Sequence, residues 1–132
     1  MKPPKIPESV LTNGITDVKL LMDWGYYLGE DDAGGSKKLS SSQIRRFFGA
    51  VKKIQADFEH SKQEIILLNP KLAYAVGRDY NKNPRRNNTK IKELYDLLNP
   101  LINSINEKSD RFRNFVNVFE SIVAYHKEKC GD

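Results

Sequence analysis

The sequence has little of what disulfide-bonded and membrane-spanning proteins require. It contains one cysteine, Cys130, among 132 residues, so no intramolecular disulfide can form, which is typical of a reducing cytoplasm. No apolar run approaches the roughly 20 residues of a transmembrane helix. The N-terminal segment has no continuous apolar stretch after its lysines, which argues against a secretory signal. We therefore expect a soluble, cytoplasmic protein with no membrane partner.

Motifs of the common catalytic sites are also absent. The sequence has no HExxH zinc motif, paired cysteines, P-loop or dinucleotide-binding fingerprint. We therefore expect no enzymatic activity and no metal or other cofactor. One enzymatic alternative stays open, a small ribonuclease that would place His60 and His126 around one phosphate. Against it, we expect His60 at the surface and His126 as a cation stabilised by a helix C-terminus.

What the sequence does have is positive charge, concentrated in two blocks. The net charge is +5. Residues 36–62 carry seven Lys or Arg against two acidic residues, and residues 78–92 carry six against one. No Asp or Glu occurs between Lys37 and Lys53, although an ordinary solvated helix interleaves acidic with basic side chains. This distribution favours an anionic partner such as nucleic acid.

Apolar residues recur at intervals of three and four, which predicts an all-α fold, a compact bundle of about five helices. The predicted helix starts lie near Asp17, Ser40, Asn69, Thr89 and Ser109. Ser40 has the spacing of a capping box with Gln43. Asn69 precedes Pro70 as an N-cap precedes the first helical position. Pro100 falls inside the fourth helix, so we expect a kink or a break there.

The predicted helices form one domain with two unequal parts. Residues 1–38 comprise a proline-rich tail, a short helix and an acidic link, and residues 39–132 form the helical core on which that helix packs. The acidic link, residues 30–38, has the Asp and Gly content of a flexible connection. Residues 79–88 predict a turn-rich basic loop.

The helix that begins near Ser40 carries four cations opposite its apolar side. At 100° per residue, Arg45 and Lys52 form one row, and Arg46 and Lys53 form the next. We call these four residues the basic face. Small residues lie between the rows, including a helix-interior glycine that costs about 1 kcal/mol relative to alanine, which indicates close approach by another molecule. The alternative is an ordinary solvated helix face.

The second basic block has a different composition, with asparagines between its cations. Arg78, Arg85 and Arg86 have guanidinium groups that suit phosphate, and the amide side chains suit phosphate and ribose contacts. No base-reading motif such as an RRM, KH or zinc-finger signature is present. If nucleic acid binds, we expect backbone contact without sequence preference.

Three segments of the chain resemble a known family. They are LSSSQIRRFF from Leu39, LLNPKLAYAVGR ending at Arg78, and FRNFVNVFESIVAYHK ending at Lys127. In this order and in an all-helical chain, they are similar to the Csm small subunit, the small helical subunit of type III-A CRISPR effector complexes. The resemblance covers Leu39 to Lys129, and residues 1–38 match no motif of that family.

The resemblance implies a non-catalytic, RNA-binding role in antiviral defence. Small subunits of this family stack in several copies and flank the duplex between guide RNA and target RNA. The partners implied are both RNAs, neighbouring copies of the chain, the large subunit and the repeating backbone subunits. On charge asymmetry alone, Glu30, Asp31 and Asp32 would meet a neighbour's basic surface.

The predicted RNA-binding residues come from both lines of reasoning. Family motifs carry over to Arg45, Arg46 and Arg78, and more weakly to Lys127, whereas the others extend the charge pattern. In the same motifs, Tyr74 and Tyr125 are expected in the packing of the bundle. The complete predicted set is Arg45, Arg46, Lys52, Lys53, Arg78, Arg85, Arg86 and Lys127.

Two further functions remain open. A free-standing helical protein that binds RNA or DNA without sequence preference would be recovered without guide RNA and larger subunits. A protein-interaction module, whose basic face meets an acidic partner, would have negligible RNA affinity in physiological salt.

Overall fold

The fold is known from a computed structural model, which describes residues 2–131. Within these residues, five α-helices contain eleven residues or more, which confirms the predicted all-α bundle of about five helices. The elements in chain order are α1 (Val10–Asn13), α2 (Val18–Leu28), α3 (Ser41–Ala56), α4 (Phe58–Ser61), a 3-10 helix (Lys62–Leu67), α5 (Leu68–Asp79), β1 (Tyr80–Lys82), β2 (Arg85–Asn87), α6 (Ile91–Asn103) and α7 (Ser109–Cys130). Between residues 2 and 131, no helix has the length and apolar content needed to cross a bilayer.

The longest helix, α7, forms the centre of the bundle, because α1, α2 and α3 all pack against it. Its apolar residues repeat every three or four positions, which places Phe112, Phe115 and Phe119 on one buried side. The ring of Phe119 lies 5.6 Å from that of Phe47 and 5.4 Å from that of Phe48, both on α3. The basic face is therefore carried by a helix whose opposite side is fixed in the core.

Helix α2 approaches α7 closely at Gly25. A Cβ atom at this position would lie 2.5 Å from the Cβ of Tyr125 and 2.9 Å from the carbonyl oxygen of Ile122. Such distances exclude any side chain unless the two helices separate. Next to this contact, Trp24 is buried, and its Nε1 donates a hydrogen bond of 2.8 Å to the carbonyl of Pro4. The N-terminal segment is thereby fixed against α2.

A buried lysine joins three segments that are distant in sequence. The side chain of Lys90, at the start of α6, is fully buried. Its Nζ donates to the carbonyl of Tyr27 at 2.6 Å, pairs with Asp32 Oδ1 at 3.0 Å and lies 3.8 Å from the centre of the Tyr27 ring. Burial also raises the pKa of the Tyr27 phenol. Although Lys90 belongs to the second basic block, it is unavailable to an external partner.

The acidic link and the basic loop pair with one another, so the link is ordered and not the flexible connection that was expected. Residues 80–87 form an antiparallel hairpin with a cis Asn83–Pro84 peptide bond. Lys37 of the link donates its N–H to the carbonyl of Asn88 at 2.8 Å, and Arg86 donates to the carbonyl of Gly34 at 3.0 Å. These pairings are separated by about 50 residues, so sequence patterns within each segment could not reveal them.

Other helix boundaries differ from the predicted ones at their starts. Helix α5 begins at Leu68 directly after the 3-10 helix, so Asn69 lies inside it instead of capping it. Helix α7 begins with Ser109 as its first residue, and Lys108 occupies the N-cap position. Helix α6 runs through Pro100 to Asn103 and is not broken into two. Burial of the neighbouring α6 leucines against the core compensates for the hydrogen bond that proline removes.

Two glycines in helix interiors should respond to alanine in opposite directions. We expect Gly25→Ala to lower the free energy of unfolding by about 1–3 kcal/mol, since the new methyl group meets the backbone of α7. At Gly49, a Cβ would meet nothing within 4 Å. Gly49→Ala should therefore raise the free energy of unfolding by about 0.5–1 kcal/mol, because alanine has the higher helix propensity. Urea denaturation measures both variants. Equal effects would show that α2 and α7 do not approach as described.

Substitutions of two carboxylates in the acidic link, Asp32 and Glu30, can be compared in the same way. Asp32→Asn removes the charge that faces the buried Lys90, so we expect a loss of about 1–3 kcal/mol in the free energy of unfolding. Glu30→Gln removes a half-exposed contact 3.6 Å from Lys129, which is worth about 0.5 kcal/mol or less. Chemical denaturation of both variants provides the comparison. A Glu30 variant as unstable as the Asp32 variant would contradict the central role of Lys90.

Candidate nucleic-acid interface

The basic face lies fully at the surface of α3. The helix begins with a capping box in which Ser40 Oγ accepts from the Gln43 N–H at 3.1 Å and Gln43 Oε1 accepts from the Ser40 N–H at 2.9 Å. This start fixes the phase of every later residue on the helix. All four cations of the basic face are exposed, as are Gly49 and Ala56 between the rows. The surface predicted from the helical wheel is therefore present, whereas its contact with RNA stays a prediction.

The first row of the basic face borders α7. Lys52 Nζ lies 4.0 Å from a carboxylate oxygen of Glu120 and 5.8 Å from the centre of the Phe48 ring. Arg45 Nε donates a long hydrogen bond of 3.4 Å to the carbonyl of Ser41, one turn earlier. Both side chains of the Lys52–Glu120 pair are about half exposed, so Lys52 keeps access to an external anion.

Lys127 extends this row onto α7. Ser41 Oγ at the start of α3 lies 3.9 Å from Cys130 Sγ at the end of α7, and Glu120 lies beside the far part of α3, so the helices run antiparallel. Lys127 follows Glu120 by seven residues, or two helical turns, on the same side of α7. This spacing places the exposed Lys127 at the level of Arg45.

The second row borders a cavity between α3 and α5. The cavity has a volume of about 820 Å³, and Arg46 lies on its α3 side. Lys71 and Arg78 line its α5 side, so the fold brings Arg46 and Arg78 to one groove although 32 positions separate them in sequence. Lys71 was not among the predicted RNA-binding residues. Its position one turn before the Tyr74–Arg78 segment was the available signal.

Tyr74 is exposed, which corrects its predicted place in the core. Seventy per cent of its surface is accessible, the largest fraction of any large hydrophobic residue between positions 2 and 131. The guanidinium carbon of Arg78 lies 5.8 Å from the centre of the Tyr74 ring, within the range of a cation–π contact. The apolar face of α5 is instead formed by Leu68 and Leu72, which are buried. Tyr125 keeps a packing role, since its ring meets that of Tyr26 edge-on.

The two arginines of the hairpin lie away from this cavity. Arg85 is exposed and sits opposite Lys82 in the antiparallel register, where like charges repel one another. Arg86 is also exposed, but its guanidinium donates to the carbonyl of Gly34 and connects the hairpin to the acidic link. The tip of the hairpin thus presents uncompensated positive charge, and Arg86 has a structural contact besides.

The two histidines occupy different environments. His126 is 1% exposed, and its Nε2 lies 2.6 Å from the carbonyl oxygen of Leu39, so this histidine is buried in the core near the end of α7. His60 lies at the surface, as expected, with Nδ1 2.9 Å from an Asp57 carboxylate oxygen. Buried in this way, His126 cannot contact a phosphate at the surface. Among residues 2–131, no group of three or more His, Cys, Asp or Glu side chains could hold a metal ion.

Comparison with protein families agrees with the motifs in α3, α5 and α7. The family model of Csm2 Type III-A matches residues 16–132. The chain belongs to the Csm2 Type III-A family. No curated protein and no solved structure gives a significant match.

Membership of the Csm2 Type III-A family confirms the resemblance found in the sequence. It makes the chain a small subunit of a type III-A CRISPR effector complex. The match begins at residue 16, well before Leu39, where the sequence motifs began. Helix α2 and the acidic link therefore belong to the region that the family shares.

Proposed function

We propose that the chain is a non-catalytic subunit that stacks in several copies along the duplex of guide RNA and target RNA, in the cytoplasm. Its basic face contacts the RNA backbone without sequence preference, and its protein partners are neighbouring copies, the large subunit and the backbone subunits. The observation that carries this proposal is the exposure of all four cations of α3 around an open, small-residue floor.

The shape of the basic face suits a phosphate backbone. Arg45 and Lys52 are about 10.5 Å apart along the helix axis, as are Arg46 and Lys53. Since Gly49 has open space in front of it, a strand can approach the helix backbone between the two rows. Long basic side chains then contact phosphates from both sides, and phosphate contacts position nucleic acid without specifying sequence.

The flanks of α3 widen this surface. Lys127 continues the first row onto α7, and Lys71 with Arg78 continues the second row onto α5. Several cations spread over three helices match a duplex better than a single strand, because a duplex presents phosphates on both sides of a groove. Weak contacts from each copy would add up when neighbouring copies are held in one assembly.

A role without catalysis is consistent with the environment of the histidines. The ribonuclease alternative needs two acid–base groups at one phosphate, and His126 is buried with a ring nitrogen against the Leu39 carbonyl. His60 alone at the surface supplies only one such group. RNA cleavage by the purified chain that is abolished by His60→Ala would overturn this part of the proposal.

Charge reversal on α3 tests the RNA contact. We expect Arg45→Glu with Arg46→Glu to weaken binding to an RNA duplex by at least about tenfold, since a hydrogen bond to a charged group contributes about 1.5–3 kcal/mol. The log–log salt dependence of the affinity should also flatten by about 0.7–0.9 per lost phosphate contact. Fluorescence anisotropy over a series of salt concentrations measures both quantities.

The matched control carries the same charge change at another surface. Lys2 and Lys5 are exposed on the N-terminal segment, so Lys2→Glu with Lys5→Glu should leave the affinity within about threefold at physiological salt. Both double variants should keep the wild-type helical circular-dichroism signal. An equal loss of affinity in the control would assign binding to net charge instead of the basic face. Unfolding of the Arg45 and Arg46 variant would show that these arginines are structural.

A further inference from the structure

The cavity between α3 and α5 combines an apolar lining with a cationic rim. Phe47 and Ala50 of α3 face Leu72 and Ala75 of α5 across it. Three cations, one of them shared with the basic face, stand at its edge, together with the exposed ring of Tyr74. Apolar cavities that carry an exposed aromatic ring and converging charges are typical ligand sites.

The charges of the cavity favour an anionic occupant. Its one carboxylate, Asp79, already accepts hydrogen bonds from the Thr89 N–H at 2.9 Å, the Thr89 hydroxyl at 3.1 Å and the Asn87 amide at 3.3 Å. Arg46, Lys71 and Arg78 are each exposed and have no such internal carboxylate among the described contacts. The occupant must therefore join negative charge to an apolar or aromatic part.

We propose that this groove binds an unpaired nucleotide of an RNA strand, with the base stacked against the Tyr74 ring and the flanking phosphates held by Arg46, Lys71 and Arg78. The inference rests on the RNA contact proposed for the basic face and adds a second kind of recognition to it. Base stacking on aromatic side chains is tolerant of sequence, because every base has a π face.

Continuity between the two surfaces supports this occupant over a free nucleotide. Arg46 belongs both to the basic face and to the cavity, so one strand can follow α3 and turn a single base into the groove. Arg78 lies against the Tyr74 ring at 5.8 Å, which positions its guanidinium beside a stacked base. The groove thus distinguishes an unpaired base from a paired one, whereas the basic face treats them alike.

The test compares two RNA duplexes that differ by one unpaired 5-bromouridine. We expect the chain to bind the bulged duplex about tenfold more tightly than the fully paired one, because stacking of one base is worth about 5- to 150-fold in affinity. Ultraviolet irradiation should cross-link the unpaired base to Tyr74, as identified by mass spectrometry. Tyr74→Leu should abolish the preference and leave the paired duplex unaffected, whereas Tyr74→Phe should retain the preference.

Matched variants separate the groove from the basic face. Tyr80 is 48% exposed on the hairpin and outside the cavity, so Tyr80→Leu should change neither affinity. Arg45→Glu with Lys52→Glu lies outside the cavity and should weaken binding to both duplexes equally. Since Tyr74 is 70% exposed, its replacement should leave the unfolding transition unchanged.

Several results would overturn the inference. If both duplexes bind equally and only the basic-face variant loses affinity, the groove does not hold a base and the proposed function stands. Equal affinity for free uridine monophosphate would make the groove a site for free nucleotides instead. A change in self-association of Tyr74→Leu, with RNA binding unchanged, would assign the groove to a protein contact. If the basic-face variant also binds normally, the proposed function falls with the inference.

Discussion

The arrangement of α2, the acidic link and α6 depends on the contacts that the buried ammonium group of Lys90 makes. A fully buried cation needs partners, and Lys90 finds them in the Tyr27 carbonyl at the end of α2 and in Asp32 of the acidic link. The Tyr27 carbonyl belongs to the last turn of a helix, where it has no partner within the helix. One side chain thus satisfies a helix end, fixes the link and sets the position where α6 begins.

The order imposed by Lys90 extends to the hairpin and to the C-terminal end of α5. The backbone N–H of Lys90 donates to the carbonyl of Lys37, and the backbone N–H of Lys37 donates to the carbonyl of Asn88. The link therefore runs alongside the hairpin. The hairpin in turn follows α5 directly, and Asp79 connects the end of α5 to Thr89. Gln43 Nε2 of α3 donates to the Thr89 hydroxyl at 3.1 Å, so Thr89 links the C-terminal end of α5 to α3.

The acidic and basic residues of this small chain consequently have two distinct uses. Asp31 accepts a hydrogen bond from the Lys38 N–H at 2.8 Å, and Asp32 faces Lys90, so the acidic link is largely occupied within the chain. The cations of α3 are left at the surface with little compensation, apart from Glu120 beside Lys52. The carboxylates of the link are thus used in internal contacts, whereas the four cations of the basic face remain exposed. The charge total alone does not reveal this division.

The sequence by itself determined the helices and the basic face, because both depend on short-range rules. The Ser40–Gln43 capping box and the three- and four-residue apolar spacing act within one or two turns, so α3 and its four exposed cations were predicted correctly. The family motifs are likewise short continuous segments, so they could be found in the sequence without the structure. The predicted N-caps of α5 and α7 were wrong, since a 3-10 helix directly precedes α5 and Lys108 occupies the N-cap position of α7.

Only the tertiary structure decided which side chains are buried and which remain accessible. The contacts of Lys90 with Tyr27 and of His126 with Leu39 join residues 63 and 87 positions apart, and the Tyr74 ring is exposed because no helix within residues 2–131 covers that side of α5. These outcomes depend on which helices lie opposite one another, a property of the packed chain as a whole. Local periodicity describes one helix at a time and carries no information about the surface that faces it.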